Sequence, residues 1–247
     1  MISLFRKKNN DPIVDLSMLG CDMHSHLIPG IDDGSPDMET SLELIRGFVD
    51  LGYKKIITTP HIHPDHYPNT PGIILSGRQQ VEAVIKEQQL PIALGAAAEY
   101  FMDQRMEDLL ETGAPLLTLK DSLVLVEISF AAPSIDLLGL LFKLQMKGYQ
   151  PVLAHPERYL YFAGNKTWYD KLKEAGCLFQ VNLLSLIGYY GKESRELAHY
   201  LVKKQYIDLL GSDLHHKRHL DALQSSTELM PIVNKLVDSG KIQNTHL

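Results

Sequence analysis

The sequence is poor in cysteine and tryptophan, carries no excess of positive charge, and has no long uninterrupted apolar run. Its 247 residues include two cysteines, Cys21 and Cys177, and a single tryptophan. The cysteines are far apart and outside any C-x-x-C pattern. That excludes a zinc ribbon and makes a disulfide framework a poor expectation, so a reducing cytoplasm is the expected setting. A net charge of −6 argues against a protein that grips nucleic acid through a broad basic field. The most apolar run, "IDLLGLLFKLQM", contains Asp136 and Lys143 and is too short to span a bilayer, so membrane insertion is not expected. "MISLFRKKNNDP" has no apolar h-region or cleavage site, and a signal peptide is not expected either. Residues 1–17 read as an N-terminal extension, with Arg6, Lys7 and Lys8 in solvent, to one domain over 1–247. No G-x-G-x-x-G follows the first apolar run, which removes the main reason to expect a dinucleotide-binding sheet.

What the chain does have is an alternation. Short apolar runs ("GCDMHSHLI", "KKIITTPHI", "LPIALGAAAEYF", "SLVLVEISF", "QPVLAHPERY", "CLFQVNLLSL" and "YIDLLGSDLH") read as seven strands. Between them lie amphipathic stretches with helical spacing: "METSLELIRGFVDLGY", Pro71 to Gln89, "SIDLLGLLFKLQMKGY", "NKTWYDKLKEAG", "KESRELAHYLVKKQ" and a last helix from Arg218 to Ser239. In the first, Met38, Leu42, Ile45 and Val49 share one stripe. Strands apolar on both faces and alternating with helices predict a parallel sheet covered by helices. Such a sheet is either open or closed into a barrel, and a barrel gathers the C-terminal ends of its strands at one mouth.

Polar residues fall where a barrel would bring them together. Strand one ends with His24 and His26, two apart and so on one face if the strand persists, and Asp33 follows in the loop. Strand two ends in His61, strand three in Glu99, strand four in Glu127, strand five in His155 with Glu157 and Arg158 beyond it, and strand seven in Asp213 and His215. Strand six offers only Asn182. One histidine at a strand end is usually a structural residue. The same end of six strands in seven is hard to explain that way. Imidazole and carboxylate without thiolate suit Mn²⁺, Fe²⁺ or Zn²⁺, and the carboxylate share favours Mn²⁺ or Fe²⁺. Nine ligand-type side chains exceed the needs of one tetrahedral ion, so two or three ions are expected. Asp32 reads as a turn residue or an acceptor behind a ligand, and Asp22 as a residue that orients an imidazole. His63 and His66 read as solvated loop residues, His216 as pointing to the opposite face, and Tyr100, Phe101 and Tyr159 as rim or core aromatics.

With these residues placed, the sequence resembles the PHP (polymerase and histidinol phosphatase) superfamily. The shared marks are the H-x-H opening, the histidine after strand two, "AHPER" and the late D-x-H. More narrowly it is similar to bacterial manganese-dependent tyrosine phosphatases of capsule and exopolysaccharide operons. That likeness rests on "DMHSHLIPGIDDG", "TPH", "GAAAEY", "VEIS", "AHPERY" and "GSDLH", in that order across nearly the whole chain. The resemblance implies an α/β fold, a distorted (β/α)₇ TIM-like barrel. It implies a manganese centre held by His24, His26, Asp33, His61, Glu99, Glu127, His155, Asp213 and His215. It also implies hydrolysis of phosphotyrosine by a metal-bridging hydroxide that attacks phosphorus in line. His61, Arg158 and Arg218 are the expected catalytic positions, with Arg158, Arg218 and Tyr159 on the substrate. The implied partner is a phosphotyrosine-bearing protein, a bacterial tyrosine kinase that controls polysaccharide export. Three alternatives stay open here: a phosphatase of a small metabolite such as histidinol phosphate, a nuclease, and a module that binds phosphotyrosine without turnover.

Overall fold

Seven chain segments run as strands, two of them in two pieces. β1 (Cys21–Asp22) is followed by β2 (Lys55–Thr58), which passes through Thr59 and Pro60 into β3 (His61–Ile62). β4 (Ala93–Ala96) continues through Ala97 and Ala98 into β5 (Glu99–Phe101). β6 (Leu123–Glu127), β7 (Gln150–Ala154), β8 (Leu178–Asn182) and β9 (Leu209–Gly211) complete the set. These come from a computed structural model that describes residues 14–132 and 136–247. The basic cluster at Arg6 to Lys8 lies outside the described residues.

All named strand pairs are parallel, in the orders β1-β2-β4 and β3-β5-β6-β7-β8-β9. Pro60 has no N–H to donate, which interrupts the ladder between β2 and β3. The backbone carries the curvature across the break: Ala97 N donates to Thr58 O at 2.9 Å and Glu99 N to Pro60 O at 3.1 Å. First and last strands meet through one parallel bridge, Ser25 with Leu214, rather than a paired ladder. Asp213 N donates to His24 O (2.7 Å) and His26 N to Leu214 O (2.9 Å) at that seam. The outcome is the distorted seven-stranded barrel that the resemblance implied, one of the two arrangements the alternation left open.

Alternation along the strands produces two separate apolar clusters. Cys21, Met23, Ile57, Ala97, Leu125, Val152, Ala154 and Leu209 pack inside the ring. Their neighbours Ile56, Val124, Val126, Leu153 and Leu210 join the larger cluster beneath the helices. Val14 and Leu16 are buried in that larger cluster too, so the chain joins the folded body ahead of the expected boundary at residue 17.

The helices are α1 (Met38–Asp50), α2 (Pro71–Glu87), α3 (Gln104–Thr112), α4 (Leu137–Met146), α5 (Thr167–Glu174), α6 (Leu183–Leu186), α7 (Lys192–Lys204), α8 (Lys217–Ser225) and α9 (Leu229–Asp238). Asp37 starts α1 by accepting from Thr40 N, and Thr70 with Pro71 starts α2. Four expectations need correction. The first strand pairs over only two residues, because His24 onward turns to meet the last strand. The sixth ends at Asn182, and "LLSL" coils into α6. α3 was not foreseen, although Asp103 caps it through Arg105 N and Met106 N and Gly113 closes it at φ +70°. The last helix is two, since Pro231 is tolerated in the first turn of α9 but would disrupt the interior of one helix from 218 to 239.

Candidate metal centre

The carboxyl ends of the strands carry a cluster of imidazoles and carboxylates around Glu99, which is fully buried at the start of β5. Its Oε2 lies 3.2 Å from His24 Nε2, 3.2 Å from His61 Nδ1 and 3.5 Å from His26 Nε2. Its Oε1 lies 3.1 Å from His155 Nε2. Glu127 Oε1 is 2.9 Å from His61 Nδ1, and Asp213 Oδ1 is 3.4 Å from His24 Nε2. Asp33 Oδ1 is 3.5 Å from both His61 Nε2 and His215 Nε2. The structure therefore brings all nine expected side chains together, in four overlapping groups: His26, Asp33, His61 and His215; His24, His26 and Asp213; His24, Glu99 and His155; and His61, Glu99 and Glu127.

Parallel strands explain the convergence. Leu125 faces the ring interior, so Glu127, two residues on, faces the same way at the mouth. His155 and Asp213 sit just past their strands with φ of +35° and +51°, backbone that non-glycine residues seldom adopt and that is found concentrated at functional sites.

Polar residues behind the cluster set the rings. His24 Nδ1–H donates to Gln180 Oε1 (2.8 Å), His26 Nδ1–H to Asp32 Oδ2 (2.8 Å) and His215 Nδ1–H to Asp213 O (2.9 Å). Each bond leaves Nε2 with its lone pair toward the centre. Asp213 Oδ2 accepts from Asn182 Nδ2 (2.7 Å) and Arg158 Nη1 (2.9 Å). Asp32 is thus an acceptor behind a ligand as well as a turn residue. Asp22 is not behind a ligand: its Oδ1 accepts from Ser212 N at 2.8 Å.

The donor set fits divalent cations. His26 Nε2, His61 Nδ1 and Glu99 Oε1 are buried at the centre without a hydrogen-bond partner. Ligands sharing an ion at about 2.1 Å stand roughly 3.0–3.4 Å apart, close to the nitrogen–oxygen separations above. Burial pushes Glu99 up, yet the imidazoles of His24 and His61 hold it well below the usual carboxylate range. Burial pushes His26 down, while Asp32 carries it up to about 10. Four carboxylates packed this closely call for positive charge at the centre, and dications supply it while leaving the imidazoles neutral.

A cavity of about 250 Å³ opens onto the cluster, walled by Phe130, Arg158, Tyr190, His216 and His219 as well as six of the nine ligand types. The Arg158 guanidinium lies 5.0 Å from the Phe130 ring centroid and 4.4 Å from that of Tyr190. Tyr67, from the loop after β3, stacks on His61 at 5.3 Å. Arg218, the expected second phosphate contact, is exposed on the first turn of α8 and is not part of the cavity wall. One residue further round the helix, His219 faces in. His216 does not follow strand alternation either, because its side chain caps α8 by accepting from His219 N. Tyr159 is core: it is fully buried, and its hydroxyl accepts from Ile128 N at 3.1 Å. Tyr100 is likewise buried, accepting from Leu117 N. The sequence reading missed Phe130, Tyr190 and Gln180.

A model of the family described as capsular polysaccharide synthesis, CpsB/CapC, matches residues 20–232. The chain belongs to the CpsB/CapC family. Among relatives, it is 32% identical over 196 residues to the tyrosine-protein phosphatase YwqE of Bacillus subtilis, covering 79% of this chain and 77% of that one. It is 29% identical over 203 residues to the tyrosine-protein phosphatase CpsB of Streptococcus pneumoniae, covering 79% and 82%. A crystal structure from work on YwqE and CpsB, described as unique metal-dependent tyrosine phosphatases, superposes with a TM-score of 0.78 at 29% identity, covering 87% of this chain and 86% of the other. The CpsB/CapC match thus runs through all nine ligand-type positions, from His24 to His215. A 2-pyrone-4,6-dicarboxylic acid hydrolase from Acinetobacter baumannii, at 14% identity and a TM-score of 0.50, shares the fold alone.

Proposed function

We propose that this chain is a metal-dependent protein-tyrosine phosphatase that works in the cytoplasm on a bacterial tyrosine kinase of capsule or exopolysaccharide synthesis, with two or three Mn²⁺ ions. The observation that carries the activity is the convergence of nine ligand-type side chains beside an arginine clamped between two rings. Family membership and the phosphatase relatives support the substrate class. Two buried, unpaired cysteines accord with a reducing compartment, and no described helix is long and apolar enough to cross a membrane.

His24, His26, Asp33, His61, Glu99, Glu127, His155, Asp213 and His215 would hold the ions. Bound divalent cations supply charge neutralisation and, from water at neutral pH, a nucleophile. Arg158 binds the phosphoryl group. Its Nη1 is tied to Asp213, its remaining N–H groups have no partner among the described residues, and the residue lines the cavity. A planar guanidinium matches phosphate oxygens better than a lysine would. Phe130 and Tyr190 hold that plane and give the cavity aromatic walls suited to a phenyl ring. Phenol has a pKa of about 10, so it leaves far more readily than an alkyl alkoxide.

The test is a metal-stripped sample re-supplied with Mn²⁺ and offered phosphotyrosine peptide, histidinol phosphate and DNA in parallel. Turnover of the peptide well above the alkyl phosphate, with DNA intact, is the expected result. Faster alkyl phosphate hydrolysis, DNA degradation, or peptide binding without turnover would each replace this reading by another.

A further inference from the structure

The cavity over the candidate metal centre shares a wall with a second hollow of about 200 Å³. Phe130, Arg158 and Tyr190 line both, and Leu160 and Ser194 line only the second. Two observations show that this hollow is built for a ligand. The hydroxyls of Ser194 and Tyr190 are shielded from solvent and have no hydrogen-bond partner among the described residues, and Ser194 as a whole is only 2% exposed. Buried hydroxyls are normally paired, so two unpaired ones on residues that line one hollow call for a donor or acceptor from outside. At the rim the opposite holds: Phe130 is 50% exposed and Leu160 45%. Large apolar side chains facing water at the mouth of a hollow with polar groups inside are the usual make-up of a recognition site.

Position assigns the ligand. A phosphoryl group bound at Arg158 over the candidate metal centre would sit beside the second hollow, which Phe130, Arg158 and Tyr190 also line. One or two residues of extended chain, at about 3.3–3.6 Å each, reach between hollows that share three wall residues. We infer that the second hollow receives the side chain of a residue flanking the phosphotyrosine in a peptide substrate. It selects an apolar body, which lies against Phe130 and Leu160, and a hydrogen-bonding tip, which satisfies Ser194 and Tyr190. This rests on the phosphatase reading above and makes it more specific: the enzyme reads sequence beside the phosphotyrosine. A phosphorylated small metabolite has nothing to place there.

The experiment uses the manganese-loaded enzyme and peptides of one length carrying a single phosphotyrosine. The neighbour on each side is in turn Ala, Phe or Tyr, and free phosphotyrosine serves as the reference. On one side of the phosphotyrosine, kcat/KM is expected to rise about tenfold from Ala to Phe, as burial of one apolar side chain implies. A further rise of about threefold is expected from Phe to Tyr, the effect of one net hydrogen bond. Leu160→Ala should shrink the first step and Ser194→Ala the second, both leaving turnover of free phosphotyrosine unchanged. Non-hydrolysable phosphonate versions of the peptides should give the same order in Kd. Equal kcat/KM across the peptides, or wild-type preferences in both variants, with free phosphotyrosine still hydrolysed, would overturn the subsite alone. Failure to hydrolyse even free phosphotyrosine would remove the activity and the subsite together.

Discussion

Among the described residues Arg158 is the one arginine or lysine in the wall of the cavity, and its surroundings say what it is held for. Two rings fix its plane and Asp213 fixes one nitrogen, so little freedom remains to be lost when a phosphate arrives. Arg158→Ala should therefore lower kcat/KM on a phosphotyrosine peptide by about 10–100-fold, the worth of one or two charge-assisted hydrogen bonds. Metal content, read by elemental analysis after dialysis, should stay at the wild-type level, because Asn182 still holds Asp213 Oδ2 at 2.7 Å. Parallel loss of metal and activity would make Arg158 a support for Asp213 instead. The same contrast explains which residues could be read from sequence. An imidazole or carboxylate that closes an apolar strand is conspicuous, and eight of the nine ligand types stood out for that reason, with Asp33 in the loop just beyond two of them. Gln180, Phe130 and Tyr190 did not, because a glutamine inside "LFQVN" or an aromatic in a loop has no local feature that separates it from packing. Arg218 misled through proximity in the chain: α8 begins at Lys217, and one helical step decides whether a side chain faces in or out.

At the scale of elements, the loop between β1 and α1 carries more of the site than any strand. It supplies Asp33, and Asp32 in the same loop binds the ring of His26 while accepting from Gly34 N (3.0 Å) and His61 N (3.2 Å). Gly34 N–H and Ser35 bring this loop back over His26, so close that a Cβ on Gly34 would lie 2.3 Å from His26 O and 2.4 Å from His26 Cβ. The first of these is a backbone atom, and no rotamer change relieves the clash. Gly34→Ala is expected to displace His26 and Asp33 together and to weaken metal affinity by about 10–100-fold, the range seen when ligand supports are disturbed. Metal retained after dialysis at graded chelator concentrations is the measurement, and wild-type retention would show that the loop can shift without cost to the ligands. The order of the strands along the chain and the positions of most helices were legible because apolar runs and amphipathic stretches each have their own period. The breaks inside them were harder to see. Only tertiary hydrogen bonds stop β1 after two residues, and only the positions of Pro60 and Pro231, read as interruptions, divide a strand and the last helix.

The whole molecule separates its chemistry from its stability by barrel end. Ligand-type residues gather where the strands finish, whereas Cys177 lies where β8 begins, in the apolar layer beneath the helices. Burial pushes the Cys177 thiol from 9.0 up to about 12, with the Asp208 carboxylate adding to the effect and Lys173 opposing it. The sign follows from proton binding. Between pH 9 and 12 the unfolded chain has lost this proton while the folded chain keeps it, so the unfolded state binds fewer protons and stability falls as pH rises. The stabilisation is fully present below pH 9 and declines by about 1.4 kcal/mol per pH unit through that window. Urea unfolding at pH 8 and pH 10 should show the loss in the wild type and a smaller one in Cys177→Ala, whatever the variant's stability at pH 8. Equal losses in the two proteins would mean that the alkaline decline comes from other buried acids, among them the Tyr100 phenol, which burial pushes up to about 12. Because Cys177 sits at the far end of the strands from the cluster, the metal affinity of Cys177→Ala at pH 8 should match the wild type, so the same variant also tests whether the two ends of the barrel are energetically separate.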